Sequence, residues 1–197
     1  MKNYIYGAGG HGKVVLDAML AGNLSCEAFI DDNDLLDWMG YSVIKINNLN
    51  VKSGPLIHIA IGCCKTRESL ASRLDSFEFL TVKHPSATVS PKAAVGNGSF
   101  LAANSILAPD STIGKHCIMN HHALVDHDCL IGDYSHIAPH AVISGGVKIG
   151  KGVLIGAGAI ILPGLKLDDY CIIGAGSVIT KDVSSLITVV GNPARPI

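Results

Sequence analysis

Histidine and aspartate side chains are concentrated in one short part of the sequence. Six of the nine histidines lie within the 25 residues 116–140, namely His116, His121, His122, His127, His136 and His140. In the densest stretch, His127 stands between Asp126 and Asp128. An imidazole can take a proton from a nucleophile near neutral pH, and a neighbouring carboxylate can stabilise the imidazolium that forms. The stretch therefore predicts general-base chemistry.

The element that must position these side chains is a strict repeat of six. From Val89 to Ile179 every sixth residue is apolar, and the fourth residue after each is small or apolar. A period of six fits neither a helix nor simple alternation, but it is the period of a hexapeptide β-solenoid. Three hexads make one triangular coil, so residues eighteen apart stack at about 4.8 Å. We expect residues 85–197 to form a left-handed parallel β-helix, the hand of the hexapeptide class.

Alternation along each short strand indicates which side chains face outward. The residue before each hexad anchor faces out, and stacking in eighteens gives three columns. The apolar column contains Ile106, Leu124, Val142, Ile160 and Val178. The second column contains Ile118, His136, Leu154 and Ile172, and the polar column contains Thr112, Leu130, Lys148 and Lys166. A contiguous exposed aliphatic column is rare in a soluble monomer. The sequence predicts a homo-oligomer, and a trimer suits a triangular prism.

This stacking places His127 at the corner after the Leu124 strand, between the apolar and the polar columns. One coil later the same corner holds Gly145, whose N–H no side chain shields. A base beside a bare amide donor suits acyl transfer to an amine or hydroxyl, because the donor can hold the developing oxyanion. Asp128 is the first choice for the carboxylate that fixes the imidazole. Asp126 could do the same or contact substrate, and the sequence leaves both open.

A metal site is the alternative interpretation of a histidine and aspartate cluster. His121, His122 and His127 come from different corners or different sides of one strand, which makes convergence on one ion awkward, so we expect no metal. We expect four of the other histidines to be surface or interface residues without a catalytic role: His116, His121, His122 and His140. His136 interrupts an apolar column, which favours a function.

Composition excludes several classes of function. The formal net charge of −1 gives no electrostatic footprint for nucleic acid. The first residues show neither a basic n-region nor an apolar h-region, so we expect no secretory signal, and no apolar stretch reaches the roughly 18 residues of a membrane span. Three of the six cysteines occupy small inward places of hexads, and nothing indicates an oxidising compartment. We expect a soluble cytoplasmic protein.

Residues 1–84 predict a separate Rossmann-like domain. An apolar run, Lys2–Tyr6, is followed by the turn Gly7–Gly12 and by a helical pattern over residues 13–20. The N–H groups of such a turn suit a phosphate, so Gly9 and Gly10 are candidate binding residues. His11 stands where packing requires no imidazole, which favours a functional role.

The rest of this domain predicts a nucleotide site. A second strand, 27–30, ends in Asp31 and Asp32, at the distance where an acidic residue meets a ribose hydroxyl. A solvated strand end is the alternative interpretation. Further strands are predicted over 41–46, 56–61 and 77–82, with a helix over 65–76 after Gly62. The small domain favours one nucleotide, carrying a sugar, over a whole dinucleotide.

Several motifs together resemble a known family. They are YGAGGHG near the N-terminus, DD after the second strand, IAIG before a helix, HPSATVSP at the junction, VDHDC in the coils and GNPA near the end. The chain resembles the bacterial sugar O- and N-acyltransferases, typified by sialic-acid O-acetyltransferases and by acetyltransferases of the UDP-N,N′-diacetylbacillosamine pathway. The likeness covers essentially the whole chain, and GAGGHG together with VDHDC is its most specific part.

The resemblance implies a homotrimer with acetyl-CoA lying between subunits and a nucleotide sugar held by the N-terminal domain. By position, His127 would be the general base, with Asp128 as its partner. Gly145 would supply the oxyanion-hole N–H, and His136 and Gly145 would line the acetyl-CoA side. Asn120 would lie near the acceptor amine.

In the first domain, the resemblance assigns substrate binding to residues of three turns: Gly9, Gly10, His11, Asp31, Asp32 and Gly62. Several relatives have two asparagines after IAIG, where this chain has Cys63 and Cys64. That departure leaves the nucleotide open.

The sequence thus predicts an acetyl-CoA-dependent N-acetyltransferase that acts on a UDP-linked amino sugar, at the 4-amino group of a 6-deoxy sugar made for a surface glycan or glycoprotein. One alternative is O-acetylation of sialic acid or a related sugar. An alternative of another class is a non-catalytic module that binds a sugar nucleotide. A third is an NAD-dependent enzyme built on the glycine turn.

Overall fold

A mostly parallel sheet forms the centre of the first domain in the computed structural model, which describes residues 2–197. Its strands are β1 (Asn3–Tyr6), β2 (Ala28–Ile30), β3 (Asp37–Trp38), β4 (Tyr41–Ile44), β5 (Leu56–Ile59) and β6 (Glu78–Phe79). They lie in the order β3-β4-β2-β1-β5-β6, and only the β3–β4 pair is antiparallel. After β1 the chain adds β2 and β4 on one side of β1, and it then crosses over to add β5 and β6 on the other side. This reversal creates a crevice at the carboxyl ends of β1 and β5.

Two helices follow the two strands that border this crevice. They are α1 (Gly10–Ala21) after β1 and α2 (Cys64–Arg73) after β5, and short 3₁₀ turns span Ile46–Asn48 and Val51–Ser53. The strand-turn-helix unit predicted for the glycine turn is therefore present. Helix α1 begins at Gly10, three residues before the predicted start, so the glycines form its first turn.

The solenoid has three parallel sheets, which we call faces one, two and three. Face one contains β7 (Val82–Lys83), β10 (Phe100–Leu101), β13 (Ile118–Met119), β16 (His136–Ile137), β19 (Leu154–Ile155) and β22 (Ile172–Ile173). Face two contains β8 (Thr88–Val89), β11 (Ile106–Leu107), β14 (Leu124–Val125), β17 (Val142–Ile143), β20 (Ile160–Ile161) and β23 (Val178–Ile179). Face three contains β9 (Ala94–Val95), β12 (Thr112–Ile113), β15 (Leu130–Ile131), β18 (Lys148–Ile149) and β21 (Lys166–Leu167).

The strand register confirms the eighteen-residue stacking. Leu124 lies opposite Val142, and His136 lies opposite Leu154. The anchors are buried in one continuous core. Inward serines are satisfied by the neighbouring coil, since Ser135 Oγ donates to the Gly150 carbonyl at 2.9 Å and accepts from the Val153 N–H at 3.1 Å. A hexad can therefore place a serine inside without an unpaired hydroxyl.

The junction between the two parts differs from the sequence prediction. The strand predicted over 77–82 is divided, because β6 joins the first sheet while β7 pairs with β10 of the solenoid. Val82 is fully buried eighteen residues before Phe100. The hexad pattern missed this strand because its anchor position holds Lys83 rather than an aliphatic residue. The first coil therefore begins before residue 85.

At the other end, an antiparallel hairpin of β24 (Thr188–Gly191) and β25 (Ala194–Pro196) closes the last coil on face one. The hexad period did not predict it.

The outward columns have different environments. On face two, Ile106 and Ile160 are each 40% exposed, as predicted for an aliphatic surface column. On face one, Phe100 and Ile118 are buried in a cluster with Val15 and Met19 of α1. The first domain thus covers the first coils of face one, whereas Ile172 near the other end of this face is 42% exposed. No helix within residues 2–197 is long and apolar enough to cross a membrane.

Candidate active site

His127 and Asp128 form the turn that follows β14, at the corner between faces two and three. Each corner requires a left-handed residue, and here it is Asp128, with φ of 60°. Aspartate tolerates this conformation better than most residues. Asp128 Oδ2 lies 2.8 Å from Nδ1 of His127, while Asp126 Oδ1 accepts the backbone N–H of His127 at 2.8 Å. The imidazole is therefore paired with Asp128, and Asp126 holds the turn.

The two aspartates raise the pKa of the His127 imidazole. The hydrogen bond that Asp128 accepts, together with the negative charge of Asp126, holds this pKa above its ordinary value. A carboxylate on Nδ1 places a proton there and leaves Nε2 as the atom that exchanges a proton with a substrate. Both side chains are exposed, so a substrate can reach this nitrogen.

Gly145 lies directly above that ring. A Cβ at this position would stand 2.7 Å from Nε2 of His127 and 2.6 Å from Cε1, closer than real contacts allow. Backbone bonds to the adjacent coils hold it there, because Gly146 N–H donates to the His127 carbonyl and Gly164 N–H to the Gly145 carbonyl. The Gly145 N–H itself has no acceptor among the residues that the structure describes. A free amide donor thus stands beside the free imidazole nitrogen.

A second group lies where the first domain meets face one. His136 Nδ1 is 3.2 Å from the Gly62 carbonyl, and its Nε2 is 3.3 Å from Nδ2 of Asn120. The ring of His11 has its centroid 6.4 Å from that of His136 and contacts Phe100 edge to face. The structure therefore brings together four predicted site residues from both domains.

The histidines of this group are neutral at pH 7. Burial, with a smaller contribution from the Arg67 charge, lowers the pKa of His136 to about 4. Burial and the neighbouring His58 and His136 lower the pKa of His11 to about 3. His11 Nε2 is buried and has no hydrogen-bond partner within residues 2–197. These imidazoles act as hydrogen-bonding groups and not as cations.

The glycine turn has the shape of an anion site. Gly12 packs so closely that a Cβ would stand 2.2 Å from the Gly7 carbonyl oxygen, whereas a Cβ at Gly9 or Gly10 would meet nothing within 4 Å. The turn is thus closed on its inner side and open on its outer side. Asp31 braces it, because its Oδ2 accepts the Ala8 N–H at 2.8 Å.

Asp32 belongs to a polar cluster at the same sheet edge. Its carboxylate accepts from the Tyr6 hydroxyl at 2.6 Å and from Arg73 at 3.0 Å, and these two bonds lower its pKa. A cavity of about 480 Å³ lies beside it, lined among others by Ile46, Leu49 and Phe77. Asp32 is therefore hydrogen-bonded at the end of β2, but its side chain is also 60% exposed, so the binding role and the solvated strand end both stay open.

Comparisons with known proteins show which protein family has this arrangement. The model of the PglD N-terminal domain matches residues 2–74, and the bacterial transferase hexapeptide model of six repeats matches residues 146–181. No curated protein matches the sequence.

Solved structures match over the whole chain. The acetyltransferase domain of PglB from Neisseria gonorrhoeae FA1090 is 36% identical with a TM-score of 0.94, covering 100% of this chain and 99% of that chain. It has also been solved in complex with acetyl coenzyme A. WeeI from Acinetobacter baumannii AYE is 34% identical with a TM-score of 0.92 and full coverage of both chains.

A third neighbour was solved with two ligands. A single-residue mutant of perosamine N-acetyltransferase from Caulobacter crescentus, in complex with CoA and GDP-perosamine, is 31% identical with a TM-score of 0.95, covering 100% of this chain and 97% of that chain. The chain belongs to the sugar acyltransferase family of the left-handed β-helix superfamily. The resemblance drawn from the sequence motifs is confirmed.

One chain of this acyltransferase does not assemble all the predicted residues at one place. His127, Asp128 and Gly145 lie at the corner of faces two and three, while the first domain covers the first coils of face one. His136, predicted to line the acetyl-CoA side with Gly145, contacts Gly62 and Asn120 in the same chain, and its role toward acetyl-CoA stays a prediction. No group of three or more His, Cys, Asp or Glu suited to a metal ion occurs within residues 2–197.

Sequence reasoning missed three polar residues of this acyltransferase. Tyr6 and Arg73 support Asp32, and no pattern in the sequence marks them. Arg67 is fully buried at the junction of the two domains. A signal for it exists, because it occupies the same helix face as the buried residues Cys64, Leu70 and Ala71. A cation on the apolar stripe of a helix indicates a specific buried partner.

We expect Asp128→Asn to lower the pKa of His127 toward the ordinary value of 6.5, because the substitution removes the charged acceptor on Nδ1. Titration of the ¹⁵N-labelled imidazole by NMR measures this pKa. Asp110→Asn is the matched control, since Asp110 occupies the same corner one coil earlier, with φ of 59°. An unchanged His127 pKa in Asp128→Asn would contradict the pairing.

Proposed function

We propose that this acyltransferase is a cytoplasmic, acetyl-CoA-dependent N-acetyltransferase of a UDP-linked amino sugar, acting on the 4-amino group of a 6-deoxy sugar for a surface glycan or glycoprotein. The observation that carries the proposal is the corner where Gly145, whose N–H has no acceptor within residues 2–197, lies against Nε2 of His127. The neighbours solved with acetyl coenzyme A and with CoA and GDP-perosamine support the two substrate classes.

The reaction follows from these groups. Neutral His127 accepts a proton from the acceptor amine at Nε2 while the nitrogen attacks the thioester carbonyl of acetyl-CoA. Gly145 N–H donates to the oxyanion of the tetrahedral intermediate. Collapse breaks the carbon–sulfur bond, the acetyl group stays on nitrogen, and the imidazolium returns its proton to the CoA thiolate. Asp128 stabilises the imidazolium between these steps.

No covalent acyl-enzyme is required. Cys117, Cys129 and Cys171 point into the solenoid core, and burial raises the pKa of Cys117 and Cys171 to about 12. A buried, protonated thiol is a poor nucleophile. Direct transfer to the amine fits the exposed corner better.

The crevice of the first domain provides the nucleotide-sugar site. The open outer side of Gly9 and Gly10 at the start of α1 suits the diphosphate, because the N-terminus of a helix attracts anions. Asp31 and Asp32 stand at the end of β2 for the ribose, and Gly62 opens the third turn. The assignment of UDP rests on the resemblance to bacillosamine-pathway enzymes.

A homotrimer would join the two separate groups. The aliphatic column of face two includes Ile106 and Ile160, which one chain leaves 40% exposed, and the His127 corner directly follows the strand of another member, Leu124. Burying this column against a second copy would bring the His127 corner of one subunit toward the first domain of another. We propose three active sites, each between two subunits.

The wild-type protein is expected to release CoA thiol from acetyl-CoA in the presence of a UDP-linked 4-amino-6-deoxy sugar. His127→Ala should lower this rate about 10²- to 10⁴-fold, the usual contribution of a general base. His140→Ala, an exposed histidine at another corner, should leave it unchanged. A thiol-release assay with UDP-, GDP-, dTDP- and CMP-linked amino and hydroxy sugars measures both.

Three results of this panel contradict the proposal in different ways. Release with hydroxyl acceptors only would favour O-acetylation. Release with a GDP-linked sugar only would show that the enzyme uses GDP-linked and not UDP-linked sugars. Full turnover by His127→Ala would show that His127 is not the general base.

Replacing Ile160 by Asp should convert the trimer to monomers and abolish transfer, because a charge in a buried apolar interface costs several kcal/mol. Sedimentation velocity measures the mass, and Thr112→Asp on the polar column is the control that should remain trimeric. A wild-type protein that sediments as a monomer would refute the assembly.

A further inference from the structure

Arg67, in the second turn of α2, bonds to backbone from both domains. Its Nε donates to the His116 carbonyl at 2.7 Å, and its second terminal nitrogen donates to the carbonyls of Tyr134 at 2.5 Å and Ser135 at 3.4 Å. Its first terminal nitrogen donates to the carbonyls of Ile61 at 2.7 Å and Gly62 at 3.0 Å. A guanidinium has five N–H donors, and here each of them has a carbonyl partner.

This arrangement suits arginine and no other side chain. Arg67 is 1% exposed, and within residues 2–197 no carboxylate forms an ion pair with it. A buried cation without a counter-ion is tolerated only when its donors are satisfied. Lysine would offer three donors from a single point and could not span five carbonyls.

A chain of hydrogen bonds leads from Arg67 to the predicted acceptor site. The Gly62 carbonyl, held by Arg67, also faces Nδ1 of His136 at 3.2 Å. The Asn120 amide is oriented by its Oδ1, which accepts the N–H of His121 at 2.9 Å, so its Nδ2 donates to Nε2 of His136. His136 must then be neutral, with its proton on Nδ1 and donated to Gly62.

We propose that Arg67 is a positioning residue for acetyl transfer: it fixes the Gly62 turn against the solenoid, and the Gly62 carbonyl, together with the Asn120 amide, thereby sets the tautomer and position of His136. The inference rests on the proposed function, which places the nucleotide sugar at Gly62 and the acceptor amine near Asn120. Arg67 touches neither substrate. It acts by setting the distance between the turn that holds the sugar nucleotide and the coils.

The charges around His136 agree with this role. His136 faces Arg67 of α2 and His11 of α1, and His11 in turn faces His58 and His121. Burial, followed by the positive charge of Arg67, lowers the pKa of His136 to about 4. A protonated His136 would direct its Nε2–H at the amide donor of Asn120, which is unfavourable. The positive charge of Arg67, which also positions Gly62, further disfavours the protonated form of His136.

Two variants and one control test the proposal. Arg67→Met should raise the KM for the nucleotide sugar accepted by the wild type and lower kcat about 10- to 100-fold, as expected for a displaced substrate. It should also raise the pKa of His136 part of the way toward 6.5 in an NMR titration of the ¹⁵N-labelled imidazole, because the Arg67 charge is removed while burial, the larger cause of the low pKa, remains. Lys92→Met, an exposed cation of the first coil, should behave as the wild type.

Arg67→Lys separates charge from geometry and remains informative if the methionine variant does not fold. It keeps the charge but loses the fork of donors, so KM should still rise while the pKa of His136 stays low. A loss of folded protein alone would lower kcat without changing either KM or the titration. Wild-type kinetics in Arg67→Lys, or an unchanged His136 titration in Arg67→Met, would overturn the proposal. If the wild-type protein transfers no acetyl group, the proposed function fails, and the titration still tests the link from Arg67 to His136.

Discussion

The constraint on which this structure depends is the stacking of each residue on the one eighteen places away. It fixes the distance between coils at the strand spacing and allows no drift from one coil to the next. His127 and Gly145 are such a pair, so the relative position of the proposed base and the proposed amide donor is set by the register of β14 and β17 and not by a flexible loop. The corner that needs a left-handed residue also places the Asp128 carboxylate on the imidazole.

The second organising feature is the junction between the domains, which is polar but contains few charges. Arg67 satisfies five carbonyls, and His11 and His136 are kept neutral by burial. The next residue of α2 makes a second contact with the solenoid: Glu68 pairs with Lys151 and accepts from the Tyr170 hydroxyl. These contacts hold the crevice of the first domain at one position on face one.

The period of six predicted the solenoid, its register and the pairing of His127 with Gly145, because each coil contacts only its neighbours and local sequence determines it. The sequence did not place the first coil, since Lys83 hides its anchor. It also did not show which column the first domain covers: Ile118 faces out of the solenoid as predicted, but it is 1% exposed because the first domain packs on it. Docking depends on single side chains such as Arg67, whose place on the buried face of α2 marks it as buried but does not identify its partners on the solenoid.

The central claim is that each active site combines His127 of one subunit with the first domain of another. Mixed trimers of His127→Ala chains and Gly10→Asp chains test it directly. The added carboxylate should repel a diphosphate, and a Cβ at Gly10 meets nothing within 4 Å, so the fold should tolerate it. Each variant alone should be inactive. Sites shared between subunits predict that the mixture regains acetyl transfer, because some sites then pair an intact His127 with an intact first domain. A mixture as inactive as its components would contradict the claim.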